Sequence, residues 1–249
     1  MKVLSIGNSF SEDAHRWLHS ISEVGKTKID AVNLMIGGCT LERHYNNIKE
    51  NKPDYDVFCN GLEFIKKSSA NEVLAEDKYD VVTIQQSSGL SGVPASYIPY
   101  LTEIVNYVKE KQPDAKIFFY KTWCYEYDFT SKRFEVYARS QEEMFRRISD
   151  CADMVKKLAE IDILPVGDFI RYLRVNTKEF DYRNGGASLC RDGYHLSLNY
   201  GRFAAAAVWY KEFTGEKIDG DAFVRNKPDF DVKTVKLIIE DLEKFYSGR

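Results

Sequence analysis

The sequence predicts a protein of the α/β class, a three-layer α/β/α sandwich with a central, mostly parallel five-stranded sheet. Short apolar runs alternate with longer amphipathic segments along the 249 residues, which indicates alternating strands and helices. The apolar runs are nearly continuous, as is typical of strands that helices cover on both faces. Strands and helices in this order build right-handed βαβ units and hence a parallel sheet. The expected architecture is flavodoxin-like.

Each element follows from the spacing of its apolar residues. Five short apolar runs predict the strands, which are Val3–Ile6, Ile29–Ile36, Asp80–Ile84, Lys116–Tyr120 and Ile163–Val166. Apolar residues three and four apart predict the helices, which are about Glu12–Val24, Ile98–Lys111, Tyr137–Ile161, Leu198–Phe213 and Val232–Tyr246. Residues 55–69 fit less well and are interpreted as a small β-hairpin inserted before the third strand. No linker or repeat divides the chain, so we expect one domain over residues 1–249.

Composition argues against several classes of function. The formal net charge is −3 and there is no basic run, which argues against nucleic acid as a partner. No apolar segment reaches the roughly 18 residues of a membrane span. The five cysteines are scattered without a Cys-x-x-Cys pair, so we expect reduced thiols rather than disulfides or a zinc site. His15 and His19 lie four apart but lack a third ligand, and no dinucleotide or Walker loop is present. We therefore expect neither a metal nor a cofactor.

The start of the chain bears on its compartment. Residues 1–7 resemble a strand and a turn rather than a secretory leader. As written, the sequence therefore predicts a cytoplasmic protein. A periplasmic or secreted protein whose leader has been removed is the alternative, and the oligomeric state stays open.

A serine follows the first predicted strand. In Gly7-Asn8-Ser9-Phe10-Ser11 the glycine permits a tight turn, and Ser9 lies where helix-start N–H groups and the helix dipole stabilise negative charge. A serine at this place is also a common helix cap, so the motif alone does not identify a nucleophile. Gly37 and Gly38 follow the second strand, where a backbone N–H can approach a ligand closely or simply form a turn.

An aspartate and a histidine, three residues apart, precede a late helix. His195 can accept a proton from a serine, while Asp192 can fix the histidine tautomer and stabilise the imidazolium that forms. Alone, the two residues are equally a solvated loop pair. Sites in such sheets form at the carboxyl ends of the strands, so we expect Ser9, Gly38 and this pair at one edge.

These motifs, in this chain order, resemble the SGNH (GDSL-like) hydrolase superfamily over most of the chain. The segment around Ser9 looks like its first block, with Asn8 in place of the frequent Asp, and the Gly-Asn-Ser-Phe-Ser opening is similar to that of one bacterial branch. Asp192 and His195 look like its fifth block. The resemblance implies a serine esterase with Ser9 as nucleophile, His195 as base and Asp192 as the acid of the triad.

The resemblance also implies an oxyanion hole. Gly38 looks like the second block, so the N–H groups of Ser9 and Gly38 are expected to bind the oxyanion. The third block normally adds an Asn side-chain amide, but here Gln85-Gln86-Ser87-Ser88 occupies that stretch. We expect Gln86 to supply the amide, with Gln85 as the alternate.

An aromatic stretch follows the fourth strand at the same sheet edge. Trp123 and Tyr125 could stack on sugar rings or could equally belong to the core. Many superfamily members deacylate carbohydrates, so the resemblance implies a deacetylase or deacylase whose partner is a small-molecule or saccharide ester. The alternatives are an acyltransferase on the same scaffold and a non-catalytic carbohydrate-binding domain.

Overall fold

The central sheet contains seven strands within residues 1–61 and 63–248, which the computed structural model describes. They are β1 (Lys2–Gly7), β2 (Asp30–Met35), β3 (Tyr55–Cys59), β4 (Glu63–Ser68), β5 (Val81–Ile84), β6 (Lys116–Tyr120) and β7 (Asp162–Leu164). Their order across the sheet is β4-β3-β2-β1-β5-β6-β7. Strand β1 therefore lies in the middle, with β2 and β5 beside it.

The sheet has seven strands rather than the five that the sequence predicts. The strands β2, β1, β5, β6 and β7 are parallel and correspond to the predicted five. The other two strands form an antiparallel hairpin, and β3 pairs with β2 with Val57 opposite Leu34. Pairing satisfies the backbone groups of β2, which would otherwise be an open edge. The new edge strand β4 is mostly exposed and carries Lys66 and Lys67, a composition that discourages further pairing.

Helices cover both faces of the sheet. Within the described residues they are α1 (Ser9–Ser22), α2 (Leu41–Lys49), α3 (Ala70–Glu76), α4 (Tyr100–Lys111), α5 (Gln141–Ala159), α6 (Val166–Asn176), α7 (Tyr200–Thr214), α8 (Gly220–Asn226) and α9 (Val232–Ser247). None of these helices combines the length and the apolarity that crossing a membrane requires.

Several boundaries differ from the sequence-based expectation. Helix α1 begins at Ser9 rather than near Glu12, because Asn8 caps it. Helix α5 begins at Gln141, because residues 132–137 form a 3₁₀ helix that ends at Ala138 with φ +51°. Pro165 ends the fifth parallel strand, and the following residues form α6 instead of extending it. The sequence interpretation did not include α2, α3, α6 and α8.

Close packing of α1 against α7 brings the N-terminal and C-terminal parts of the chain together. Helix α7 is buried from Gly201 to Tyr210, and its four consecutive alanines, Ala204–Ala207, are fully buried. Small side chains let neighbouring helix backbones approach closely, and α1 packs directly against α7. The loop that enters α7 therefore lies beside the start of α1.

Candidate active site

Ser9 is the first residue of α1, directly after the turn that follows β1. A Cβ at Gly7, the last residue of β1, would overlap the Ser11 side chain, so this position requires glycine. Asn8 is the helix cap, because its side-chain oxygen accepts a hydrogen bond from the Phe10 N–H at 3.0 Å. Ser9 is thus not the cap, and its hydroxyl lines an open cleft.

A chain of hydrogen bonds joins Ser9, His195 and Asp192. The Oγ of Ser9 lies 2.9 Å from Nε2 of His195, and Nδ1 of His195 lies 2.8 Å from Oδ2 of Asp192. The backbone N–H of His195 also donates to Oδ1 of Asp192 at 2.8 Å, which fixes the carboxylate relative to the ring. The structure therefore brings together the three side chains that the sequence marks as candidates.

Asp192 is held in its ionised form. Partial burial opposes its charge, but hydrogen bonds from the His195 ring and from the N–H groups of His195 and Tyr194 outweigh burial and lower its pKa. An ionised carboxylate beside Nδ1 favours the tautomer with a proton on Nδ1, which leaves Nε2 able to accept the proton of Ser9.

The loop that carries Asp192 and His195 is held by the segment after β6. The N–H of Glu126 donates to the carbonyl of Gly193 at 2.8 Å, and Nε1 of Trp123 donates to the carbonyl of Tyr194 at 2.6 Å. Gly193 has φ +86°, and a Cβ there would overlap the ring of Phe129. The loop conformation thus depends on contacts with residues about 70 positions earlier in the chain.

Asp13, which the sequence analysis missed, connects the helix of Ser9 to the loop of His195. This carboxylate is fully buried and accepts hydrogen bonds from Leu196 N (2.8 Å), Arg202 Nε (2.7 Å) and Arg191 Nη1 (3.0 Å). The signal was present, because Asp13 interrupts the apolar face of α1 one position before Ala14. A charge at a core-facing helix position requires buried partners.

Two backbone N–H groups in the cleft are available to bind a ligand. Gly38 has φ +63°, in the left-handed region that favours glycine. Neither its N–H nor that of Ser9 donates to another described residue. Asn8 Nδ2 donates to the Cys39 carbonyl at 3.0 Å and so joins the Gly38 loop to the start of α1. Both N–H groups belong to residues that line the cleft.

The expectation that Gln86 completes an oxyanion hole is wrong. Its Nε2 donates to the carbonyl and hydroxyl of Ser96, both at 3.0 Å, and its Oε1 accepts from the N–H groups of Leu41 and Ser87. The alternate, Gln85, donates to Oδ1 of Asn8 at 2.7 Å. Both glutamines are buried and satisfy neighbouring loops, so their amides are not available to a substrate.

Of the two alternatives for Trp123 and Tyr125, the structure supports a place in the core and contradicts a sugar-stacking surface. Both are fully buried. Trp123 stacks on the ring of Phe10 at 4.2 Å between centroids, and the hydroxyl of Tyr125 hydrogen-bonds to Ser88 at 2.9 Å. They support the cleft from behind, because a large aromatic ring contributes most when it is packed in the core.

The cleft itself has a volume of about 600 Å³. Ser9, His195 and Gly38 lie in it, and Leu90, Val136 and Tyr194 provide apolar surface. The ring of Tyr194 lies against the imidazole of His195, with 3.9 Å between centroids. The arrangement offers a hydroxyl, a base and two N–H donors beside apolar surface, which is what acyl transfer requires.

The histidines of α1 lie in separate environments. His15 is buried and hydrogen-bonded to the Ser5 hydroxyl at 2.7 Å, whereas Nδ1 of His19 lies 2.8 Å from the carbonyl oxygen of Ile29. In the described part of the chain, no three His, Cys, Asp or Glu side chains are grouped as metal ligands would be.

Comparison with known proteins shows which family the chain resembles in sequence and structure. The family described as "Domain of unknown function (DUF4886)" matches residues 2–237. A crystal structure of a DUF4886 family protein from Bacteroides uniformis is 33% identical, covers 87% of this chain and 84% of its own, and superposes with a TM-score of 0.80. No curated protein sequence matches the chain.

More distant structures share the fold. A candidate SGNH hydrolase from Slackia heliotrinireducens is 20% identical, covers 86% of this chain and 98% of its own, and has a TM-score of 0.58. A lipase/acylhydrolase from Enterococcus faecalis is 16% identical, covers 86% of this chain and 95% of its own, and has a TM-score of 0.53. The α/β fold is therefore that of SGNH hydrolases.

Proposed function

This chain belongs to the DUF4886 family, and we propose that it is a serine hydrolase that cleaves carboxylic esters. The observation that supports this most strongly is the hydrogen-bonded chain from Ser9 Oγ through His195 to Asp192, with distances of 2.9 Å and 2.8 Å. A serine at a helix start, a base within hydrogen-bond reach and a carboxylate behind that base are the parts of nucleophilic acyl transfer.

The proposed reaction has two halves. Ser9 Oγ attacks the ester carbonyl carbon while His195 Nε2 takes the hydroxyl proton, and Asp192 stabilises the imidazolium. The C–O bond to the alcohol then breaks, and His195 gives its proton to the departing oxygen. In the second half, water attacks the acyl-enzyme with His195 again as base. The acid is released and the Ser9 hydroxyl is restored.

The oxyanion would be bound by backbone groups. The N–H groups of Ser9 and Gly38 lie in the cleft without partners among the described residues, and the start of the 14-residue helix α1 adds the positive end of its dipole. A single oxyanion donor typically contributes a factor of ~10²–10³ in rate. With Gln85 and Gln86 engaged elsewhere and the Ser88 hydroxyl bonded to that of Tyr125, Ser87 is the side chain of that stretch that could add a third donor from the cleft.

This proposal does not specify the alcohol part of the ester substrate. The family resemblance implies a saccharide ester, but the rings of Trp123 and Tyr125, which could have stacked on a sugar, are buried. The apolar surface of Leu90, Val136 and Tyr194 suits an acyl chain or an aromatic ring equally. We therefore propose a carboxylic ester hydrolase and leave a carbohydrate deacylase as one case within it.

A covalent label tests the proposal directly. We expect a fluorophosphonate probe to modify the wild-type protein on Ser9, located by mass spectrometry, and p-nitrophenyl acetate to be hydrolysed. Ser9→Ala should abolish both signals. Ser20→Ala, on the same helix but outside the cleft, is the matched control and should keep both. Labelling or hydrolysis that survives in Ser9→Ala would rule out Ser9 as the nucleophile.

A further inference from the structure

The cleft is lined by few charged side chains. Among the described residues that line it, Arg133 is the only side chain with a permanent charge. Asp192 lies behind His195 rather than in the lining. An anionic group that enters the cleft would therefore meet one cation and no carboxylate.

Arg133 lies on a segment whose backbone is well fixed. It belongs to the 3₁₀ helix Lys132–Tyr137, which is held by the buried rings of Phe134 and Tyr137. The Tyr137 hydroxyl accepts from the Gly92 N–H at 2.9 Å and donates to the Gly89 carbonyl at 3.1 Å. These bonds join the Arg133 segment to the loop of Gly89 and Leu90, which also lines the cleft.

Arg133 is exposed, its stem lies beside Gly89 and its guanidinium is unpaired among the described residues. A Cβ placed on Gly89 would lie 3.6 Å from both Cβ and Cδ of Arg133, so the stem runs along the Gly89 backbone. No carboxylate or carbonyl of the described residues pairs with the guanidinium, whereas Arg139 and Arg147 nearby pair with Glu135 and Glu143. An unpaired guanidinium on a supported stem is available to a ligand.

We propose that Arg133 selects ester substrates that carry a carboxylate, which its guanidinium would bind in the cleft while Ser9 attacks the ester carbonyl. This inference rests on the proposed esterase function. A planar guanidinium matches a carboxylate with two parallel hydrogen bonds, and the apolar surface of Leu90 and Val136 would contact the rest of the substrate. The carboxylate could belong to the acyl part or to the alcohol part of the ester.

Two pairs of esters distinguish these sources. p-Nitrophenyl hemisuccinate against p-nitrophenyl acetate places the charge on the acyl part, and 4-acetoxybenzoate against phenyl acetate places it on the alcohol part. For each pair, the ratio of kcat/KM for the anionic ester to that for the neutral ester is measured. We expect wild type to favour the anionic member of one pair, less so as ionic strength rises.

Two variants test whether the preference for the anionic ester depends on Arg133. Arg133→Gln should lower the anionic-to-neutral ratio of that pair about tenfold, as expected for the loss of one charge-assisted contact at a solvent-accessible site. Lys132→Gln removes the neighbouring exposed cation, which does not line the cleft, and should leave the ratio unchanged.

The outcomes separate the two proposals. Ser9-dependent hydrolysis with no anionic preference, or with a ratio that Arg133→Gln does not change, overturns the role of Arg133 and leaves the esterase intact. An equal drop of the ratio in Lys132→Gln overturns it as well, because general electrostatic attraction then suffices. Hydrolysis that does not depend on Ser9 contradicts the esterase proposal itself, and the role of Arg133 with it.

Discussion

At the scale of a single residue, the buried side chain of Asn8 connects three parts of the candidate site. Its Oδ1 accepts from the Phe10 N–H and from Gln85, and its Nδ2 donates to the Cys39 carbonyl. One amide thus caps α1, holds the end of β5 and positions the loop of Gly38. Aspartate is frequent at this position in the SGNH hydrolase superfamily, which the sequence resembles. An ionised aspartate has no proton to donate to the Cys39 carbonyl.

Asn8→Asp tests the role of that donor. Asn8→Asp would set a carboxylate oxygen against the Cys39 carbonyl in a buried site, which costs about 1–3 kcal/mol and displaces the Gly38 loop. We expect lower stability in urea and a kcat for p-nitrophenyl acetate that falls more than KM rises. Asn46→Asp, an exposed change on α2, is the control. An unchanged kcat in Asn8→Asp would show that the Cys39 contact does not position the site.

At the scale of elements, the site depends on how α1 and α7 pack. Ser9 opens α1 and His195 lies in the loop that enters α7, and the two helices lie side by side because α7 presents Ala204–Ala207. Asp13 adds a polar link within this apolar contact, since it binds both Leu196 N and Arg202. The distance from Ser9 to His195 is therefore set by a helix pair.

Asp13→Asn tests this link between the two helices. Asp13→Asn removes the charge that faces the buried guanidinium of Arg202, so we expect a loss of about 3 kcal/mol in the free energy of unfolding. The His195 loop would also shift, and kcat should fall ~10- to 100-fold with a smaller change in KM. Glu12→Gln, which alters the adjacent and more exposed contact to Arg202, is the matched control. Equal losses in both variants would contradict a specific role for Asp13.

At the scale of the whole molecule, buried histidines couple folding to pH. His15 and His44 lie on opposite sides of the sheet, each with one ring nitrogen bonded, to Ser5 and to Tyr55. Burial lowers the pKa of both to about 3, and the charge of Arg43 adds to the effect at His44. The folded protein thus keeps both rings neutral at a pH where the unfolded chain would protonate them.

The change of the free energy of unfolding with pH measures this coupling. Because the unfolded state binds more protons, stability should fall as the pH drops from about 6.5 towards 3, by about 1.4 kcal/mol per pH unit for each histidine. Urea unfolding at several pH values in this range measures the slope. His15→Gln and His44→Gln should each reduce it by the share of one histidine. A slope that neither variant reduces would assign acid sensitivity to other groups.

The sequence alone was sufficient for the class of fold and for the local parts of the site. The alternation of apolar runs predicts the five parallel strands, because a strand covered on both faces must be apolar throughout. The spacing of Asp192 and His195 predicts that they can meet, because three residues of loop bring two side chains within reach. Both inferences use only neighbours in the chain.

Only the tertiary structure decided where the remaining polar and aromatic groups point. Gln86 could have faced the cleft, but Leu41 and Ser96 occupy its amide, and Trp123 and Tyr125 are buried behind Tyr194. Likewise, Asp13 has a role only because Leu196 and Arg202 come to meet it. A buried polar group takes the partners that folding brings to it, and the local pattern does not say which distant residues these are.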